Sequence, residues 1–173
     1  MKILAIIGSY RKTGNSRQLV DMIGDALHQE AARAGVPLEF ETLHLGHSRI
    51  EACRGCRACF DLGEDSCPLM DDLLAIKAKM KQADGLLVAS PVYVHDVSGI
   101  TKNWIDRLAH VCHRPEFAGN CAYLLATVGG SPTGHALRSL DVALSTWGFH
   151  IVGKSGLKTG ARLRKIIGTL ISN

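Results

Sequence analysis

Four cysteines lie close together in one segment of the chain. Cys53, Cys56 and Cys59 follow one another with two residues between neighbours, and Cys67 comes after seven more residues. The first three repeat the Cys-x2-Cys-x2-Cys start of the bacterial iron–sulfur pattern, in which the fourth cysteine comes sooner. Four thiolates in so short a loop can converge on one metal centre, such as a [4Fe–4S] cluster.

Three interpretations of this cysteine segment are open. A [4Fe–4S] cluster needs four thiolates in a compact loop, and this spacing provides them. Zinc more often uses two separated cysteine pairs or adds histidine, and His47 is near in the sequence. Without a metal, the loop is structural or a redox switch, with Arg54 and Arg57 activating its thiols. The run of three cysteines favours the cluster; Cys112 and Cys121 are predicted to be buried and not to be ligands.

A second group of chemistry-bearing residues occupies the segment GSYRKTGNS at 8–16, directly after an apolar run. A helix that starts here, with Ser16 as a plausible N-cap, would present unpaired N–H groups and a positive dipole end to an anion. The spacing fits neither the Walker A loop, Gly-x4-Gly-Lys-Ser/Thr, nor the dinucleotide pattern, Gly-x-Gly-x2-Gly. The loop therefore predicts a site for a terminal phosphate without Mg²⁺, such as that of FMN. Its donors are Ser9, Arg11, Thr13, Asn15 and Ser16.

Alternating strands and helices are predicted to bring these loops together. Apolar runs predict five strands, at 2–7, 37–44, 85–90, 121–127 and 149–153. Helical spacing between them predicts a helix after each strand, the last one carrying Leu163, Ile166, Ile167 and Leu170. This order indicates an α/β, flavodoxin-like three-layer α/β/α sandwich with a five-stranded parallel sheet in the order 2-1-3-4-5. Ligands of such folds bind at the carboxyl ends of the strands.

Composition narrows the class of protein further. The 173 residues predict a single domain, 1–173, with the cysteine-rich loop 51–70 inserted after the second strand at the ligand edge of the sheet. The net charge of +4 is spread along the chain, so we expect no nucleic-acid partner. The first apolar run is too short for a secretory signal, and no membrane span is expected. We therefore expect a cytoplasmic protein, in which six cysteines do not form a disulfide framework.

The quoted motifs resemble a known family. The segment GSYRKTGNS is similar to the Gly-Ser-x-Arg-x3-Asn-Ser phosphate loop of the NADPH-dependent FMN reductases. The cysteine loop with Asp71 and Asp72 after it, and the stretch SPVYVHDVSGITKNWIDR at 90–107, extend the resemblance to the iron–sulfur flavoprotein branch. The resemblance implies that the FMN phosphate binds at Ser9, Arg11, Thr13, Gly14, Asn15 and Ser16, and that a [4Fe–4S] cluster binds at Cys53, Cys56, Cys59 and Cys67.

Two further loops are expected at the flavin ring. The resemblance places the isoalloxazine edge along Pro91, Val92, Tyr93, His95, Asp96 and Ser98. Gly129 and Gly130 allow a flat ligand to approach the backbone, and Thr127 could reach a flavin carbonyl. Lys102, Asp106 and Arg107 also match the family pattern, and their helical position predicts surface or subunit ion pairs.

The expected function is that of an FMN-dependent oxidoreductase whose cofactors carry the chemistry, since no side chain is predicted to be an essential acid, base or nucleophile. Its partner would be a small redox protein such as ferredoxin or a small-molecule electron acceptor, with NAD(P)H as a possible donor. The resemblance implies a homodimer or homotetramer. Two alternatives are an NAD(P)H-dependent FMN or quinone reductase without a cluster, and a non-catalytic redox sensor that uses the cysteine loop.

Overall fold

A computed structural model describes residues 1–159 of the chain. Its strands are β1 (Lys2–Ile7), β2 (Glu39–His44), β3 (Gly85–Tyr93), β4 (Asp96–Val97), β5 (Cys121–Val128) and β6 (His150–Lys158). Five of them form a parallel sheet in the order β2-β1-β3-β5-β6, and β4 pairs antiparallel with the end of β3. Because these five strands are parallel, the loops that follow them emerge at one edge of the sheet.

The predicted flavodoxin-like class is confirmed, and its five parallel strands run in the predicted order. The strand count differs by one because β3 continues three residues beyond its predicted end at 90 and turns back as β4. The last strand also continues beyond its predicted end, from 153 to Lys158. Its exposed and part-buried residues alternate, as in a strand at the edge of a sheet, so no continuous apolar run marks its full length.

Helices cover both faces of the sheet. They are α1 (Asn15–Arg33), α2 (Ala58–Asp61), α3 (Leu73–Gln82), α4 (Gly99–Arg107) and α5 (Gly134–Thr146), with short 3-10 turns at Leu45–His47, Glu64–Ser66 and Ala109–His113. The apolar sides of α3, α4 and α5 pack on one face around Trp104 and Trp147, whose rings meet edge to face at 5.1 Å. On the other face α1 packs through Leu19 and Val20. The predicted helix at 163–170 lies outside the described residues.

None of the helices in residues 1–159 combines the length and the apolar character that crossing a bilayer requires.

Candidate functional site

Three loops at the carboxyl edge of the sheet surround one open cleft. They follow β1, β3 and β5, as the strand order requires. The lining residues are Ser9, Arg11, Gly14, Asn15, Ser16, Pro91, Val92, Tyr93, Thr127, Val128, Gly129 and Thr159. The fold therefore brings together residues that are more than 140 positions apart in the sequence, such as Asn15 and Thr159, which share a hydrogen bond.

The loop after β1 leads directly into α1 at the floor of the cleft. Helix α1 begins at Asn15, with Gly14 in an extended conformation as the N-cap. The prediction that Ser16 is the N-cap is therefore wrong, because Ser16 lies within the first turn. Its hydroxyl is buried and lies 2.6 Å from Thr127 Oγ1, which connects the first loop to the third. The first N–H groups of α1 have no partners within the helix, so this end can bind an anion.

Buried hydroxyl groups connect the first loop to the second. Ser98 Oγ donates to the Gly8 carbonyl at 2.6 Å, and the Ser98 N–H donates to Ser90 Oγ at 3.0 Å. Thr101 Oγ1 lies 2.8 Å from Ser98 Oγ and donates to Ser90 Oγ at 3.2 Å. Ser98 is thus the N-cap of α4 beneath the cleft, and it does not line the cleft surface. Sequence reasoning missed Ser90 and Thr101, although both lie in the stretch that carries the resemblance.

Two glycines allow the first loop to lie so close to its neighbours. A Cβ at Gly8 would lie 1.7 Å from Thr101 Oγ1. A Cβ at Gly46, in the turn after β2, would lie 2.6 Å from the Ser9 carbonyl oxygen and 2.6 Å from the Tyr10 Cα. Gly46 was not singled out from the sequence, because nothing in its local pattern shows that the first loop packs on it.

The second loop is a tight hairpin with an unusual backbone. Val94 and His95 both have positive φ, at 50° and 69°, between the paired residues Tyr93 and Asp96. Such a conformation costs on the order of 1–3 kcal/mol per residue and is concentrated at functional sites. Tyr93 is 52% exposed and lines the cleft. His95 does not line the cleft, nor does Asp96, whose Oδ1 accepts a hydrogen bond from Ser139 at 2.7 Å.

The remaining predicted contacts divide between the cleft and its rim. Thr127 is buried at the cleft, where its hydroxyl bonds to Ser16. Gly129 lines the cleft, whereas Gly130 and Thr13 lie on exposed parts of their loops outside the lining. Arg11 is also exposed, and its backbone N–H donates to Ser9 Oγ at 3.1 Å. Fewer of the residues predicted from the sequence to bind FMN therefore line the described cleft than were expected.

All four clustered cysteines line a second cavity. This cavity has a volume of about 80 Å³ and is completed by residues of the loop and of α4 and the turn after it. The loop coils tightly here because Gly55 and Arg57 both have φ of 63°. Cys53 and Cys56 are exposed, Cys59 and Cys67 are half-buried, and none of them forms a disulfide. Burial raises the pKa of Cys59, and the neighbouring thiols raise it further.

The sulfur positions bear on the kind of metal centre. A tetrahedral zinc ion with Zn–S bonds of about 2.3 Å holds its thiolates roughly 3.8 Å apart. Within residues 1–159, no three of these cysteines have sulfur atoms that all lie within 4.8 Å of one another. The four thiols thus share a cavity, but the described cysteines do not form the close group of three sulfur atoms that a zinc site requires.

A buried ion pair closes the neck of the cysteine loop. Asp71 accepts hydrogen bonds from the N–H groups of Glu51 at 2.9 Å and Leu73 at 3.1 Å, and from Arg107 Nη1 at 2.5 Å. The Arg107 and Asp71 side chains are 2% and 1% exposed. Burial alone would raise the pKa of Asp71, but the Arg107 guanidinium and the two backbone donors hold it below its usual range.

This pair corrects one prediction from the sequence. Arg107 was expected in a surface or subunit ion pair, and it is buried instead. Its neighbours Lys102 and Asp106 do form an exposed pair at 2.5 Å, as predicted. The helical spacing alone does not show which of these side chains is buried, because Arg107 is covered only by the packing of the cysteine loop on α4.

A second group of charges anchors the middle of the cysteine loop. Lys77 on α3 is buried and forms ion pairs with Glu64 of the loop and with Glu116, the latter at 2.6 Å. Its ammonium also lies 3.2 Å from His110 Nε2. Glu64, His110 and Glu116 are residue types that can bind a metal ion, and they lie close together. The Lys77 ammonium already balances the negative charge of the two carboxylates. Burial lowers the pKa of His110, and the Lys77 charge lowers it further.

We expect this group to make stability depend on pH. Since the folded protein holds the pKa of His110 below its ordinary value of 6.5, the unfolded chain binds more protons near that pH. The contribution of His110 to the free energy of unfolding is therefore complete above about pH 6.5 and falls as the pH is lowered. Urea unfolding between about pH 5 and 8 should show a smaller pH slope for His110→Gln than for the parent. An unchanged pH slope in His110→Gln would contradict the assignment of this pH dependence to His110.

The two cavities are separate. Among residues 1–159, none lines both the cleft and the cysteine cavity. The cysteine cavity reaches Arg107, which lies eight residues beyond the start of α4 at Gly99, or about 12 Å along the helix. The cysteine loop leaves the sheet after β2 and packs along α3 and α4, so its cavity lies apart from the described cleft.

The fold and the cleft define a flavodoxin-like α/β protein with a cleft at the carboxyl edge of its sheet, where the loop after β1 leads into α1. The chain belongs to the NADPH-dependent FMN reductase family, whose model matches residues 1–161. It is 31% identical to an iron–sulfur flavoprotein of Archaeoglobus fulgidus over 154 residues, which are 88% of this chain and 66% of that protein. It is 34% identical to an iron–sulfur flavoprotein of Methanosarcina thermophila, over 88% of this chain and 75% of that protein.

A solved structure supports the fold. A crystal structure of the apo form of an NADH:FMN oxidoreductase aligns with a TM-score of 0.67 at 24% identity, covering 99% of this chain and 84% of that one. The iron–sulfur flavoproteins that the chain matches are longer proteins, of which it spans between 48% and 75%.

Proposed function

We propose that this protein is an FMN-dependent oxidoreductase that transfers electrons through a [4Fe–4S] cluster bound by Cys53, Cys56, Cys59 and Cys67. The observation that carries the proposal is that all four cysteines line one cavity in a chain of the FMN reductase family. FMN accepts two electrons as a hydride and releases them singly, and a cluster carries one electron at a time. Such a protein couples a two-electron donor to a one-electron acceptor.

The cleft has the donors that the FMN phosphate needs. The first N–H groups of α1, the Ser9 hydroxyl and the Asn15 amide lie at its floor, and Arg11 supplies a positive charge at its wall. The Ser16–Thr127 bond and the Ser98–Gly8 bond hold the three loops in position before the phosphate arrives. These contacts keep the donors preorganised, which reduces the entropy lost on binding.

The half-exposed Tyr93 offers an aromatic wall for the flavin ring. The cysteine cavity is walled largely by apolar groups, among them Phe60, Pro68 and Leu69, which limit the access of water to a bound cluster. Because the two cavities share no lining residue, a neighbouring subunit of a homodimer or homotetramer would bring a cluster closer to a flavin. The electron donor we propose is NAD(P)H, and the acceptor is ferredoxin or a small molecule.

The test is an absorption spectrum, with iron and acid-labile sulfide counts, on protein purified and reconstituted without oxygen. We expect a flavin spectrum over a broad brown absorbance and about four irons per chain. Cys59→Ser should lose the iron and keep the flavin. The exposed Cys112 and Cys121, which were predicted to be buried, provide the matched controls, because their serine variants should keep both. Protein that binds neither FMN nor iron would refute the proposal.

A cluster-free NAD(P)H-dependent FMN or quinone reductase is the second candidate. Membership of the NADPH-dependent FMN reductase family favours this candidate, because the family description names NADPH and FMN and does not name a metal. A Cys53→Ser variant that oxidises NAD(P)H at the parent rate, together with a clean yellow flavin spectrum without iron, would select this candidate. No oxidation of either nicotinamide by the parent protein would reject it.

A further inference from the structure

We propose that Arg107 donates a hydrogen bond to the Cys67 sulfur and thereby raises the reduction potential of the group that the cysteine loop holds. This inference rests on the proposed function, since it assigns a residue that tunes the proposed cluster. Arg107 would act through the sulfur ligand and would touch no substrate, so it is a positioning residue.

The guanidinium is fixed by several partners at once. Its Nη1 donates to Asp71 Oδ2 at 2.5 Å and to the Glu51 carbonyl at 2.8 Å. Its Nη2 donates to Asp71 Oδ1 at 3.2 Å and to Cys67 Sγ at 3.7 Å. Because the planar fork of arginine is rigid, the two bonds to Asp71 determine where the remaining Nη2 hydrogen points. That hydrogen is the one directed at the sulfur.

The surroundings make this contact stronger than an exposed one. The Arg107 side chain is 2% exposed and Asp71 is 1% exposed, so solvent screens the contact little. Arg54 and Arg57 are nearer to cysteines in the sequence, but their side chains are 65% and 72% exposed and pair with carboxylates. Of the arginines in residues 49–107, Arg107 alone has a hydrogen bond to a cysteine sulfur in the described part of the chain.

A hydrogen bond to a ligand sulfur favours the reduced state of a cluster. Reduction adds an electron and increases the negative charge on the sulfurs, and an N–H donor stabilises that charge. Removing the donor should therefore shift the potential to more negative values. A lysine at position 107 would keep the charge opposite Asp71, but it lacks the fork that bonds to both Asp71 and sulfur.

The experiment is an anaerobic redox titration of the reconstituted protein, followed by electron paramagnetic resonance, with iron and sulfide counted in each sample. Arg107→Lys and Arg107→Gln should keep the iron content and titrate at a more negative potential than the parent. Lys102→Gln removes an exposed charge from the same helix, at a residue that does not line the cysteine cavity, and should leave the potential unchanged. Since Arg107→Gln alone leaves Asp71 buried without its partner, the double variant Asp71→Asn/Arg107→Gln removes both charges and should still titrate at a more negative potential than the parent.

The outcomes separate this inference from the proposed function. Parent protein without iron refutes the proposed function and this inference with it. Parent protein with iron, and Arg107 variants with normal iron content at the parent potential, overturn this inference alone. A shift of equal size in Lys102→Gln would also overturn it, because nearby charge rather than the bond to sulfur would then set the potential.

Discussion

Gly8→Ala is expected to weaken FMN binding by roughly 100-fold, which corresponds to about 3 kcal/mol at the upper end of overpacking costs. The added Cβ would lie 1.7 Å from Thr101 Oγ1 and 3.1 Å from Thr101 Cβ, so the loop must move. That movement breaks the 2.6 Å bond from Ser98 to the Gly8 carbonyl, which holds the first loop beside the second. Titration of the apoprotein with FMN, followed by quenching of flavin fluorescence, measures the loss.

Two further variants test the cause of this effect. Gly134→Ala places a methyl group where no heavy atom of the described residues lies within 4 Å, so it should bind FMN like the parent. Gly8→Ala/Thr101→Ala removes the hydroxyl that the new methyl group meets and should recover part of the affinity. Parent-like FMN binding by Gly8→Ala would show that the close contact between Gly8 and Thr101 does not position the loop.

Asp71→Ala is expected to lower the free energy of unfolding by about 3–5 kcal/mol, the usual cost of leaving a buried charge without its partner. The variant leaves the Arg107 guanidinium buried and uncompensated, and it removes the acceptor of the Glu51 and Leu73 N–H groups. Urea unfolding monitored by circular dichroism measures the change.

The neighbouring exposed pair provides the control for this prediction. Asp61→Ala breaks an ion pair with Arg57 whose side chains are 55% and 72% exposed, so it should cost less than about 1 kcal/mol. The double variant Asp71→Ala/Arg107→Met, which removes both buried charges, should be more stable than Asp71→Ala alone. If Asp61→Ala and Asp71→Ala lowered the free energy of unfolding equally, burial would not be what makes the Asp71–Arg107 pair costly to break.

Acid should have the same effect as removing the Asp71 carboxylate. The folded protein holds the pKa of Asp71 below its ordinary value of 3.8, so the unfolded chain binds more protons in acid. The stability that the pair contributes is present above that value and is lost as the pH falls through the lower folded pKa. Asp71→Ala should therefore lose less stability than the parent between neutral pH and about pH 3.

The amino-acid sequence by itself determined the class of fold and the edge of the sheet at which the cleft lies. The apolar runs of β1, β3 and β5 and the polar loops after them are local patterns. A strand that is buried on both faces is recognisable from its own run of apolar residues. Parallel connections then allow only a few strand orders, and the observed order is the predicted one. The four cysteines were likewise recognisable from their spacing.

Only the tertiary structure decided which residues of those motifs reach the cleft and which support it from below. Ser98 and Thr101 are committed to a buried hydroxyl network, and His95 lies on a strained hairpin outside the lining. Arg107 became a buried partner of Asp71 and Cys67 because the cysteine loop folds along α4. The Ser98–Gly8 and Arg107–Asp71 contacts join residues 90 and 36 positions apart, and no local pattern encodes such contacts.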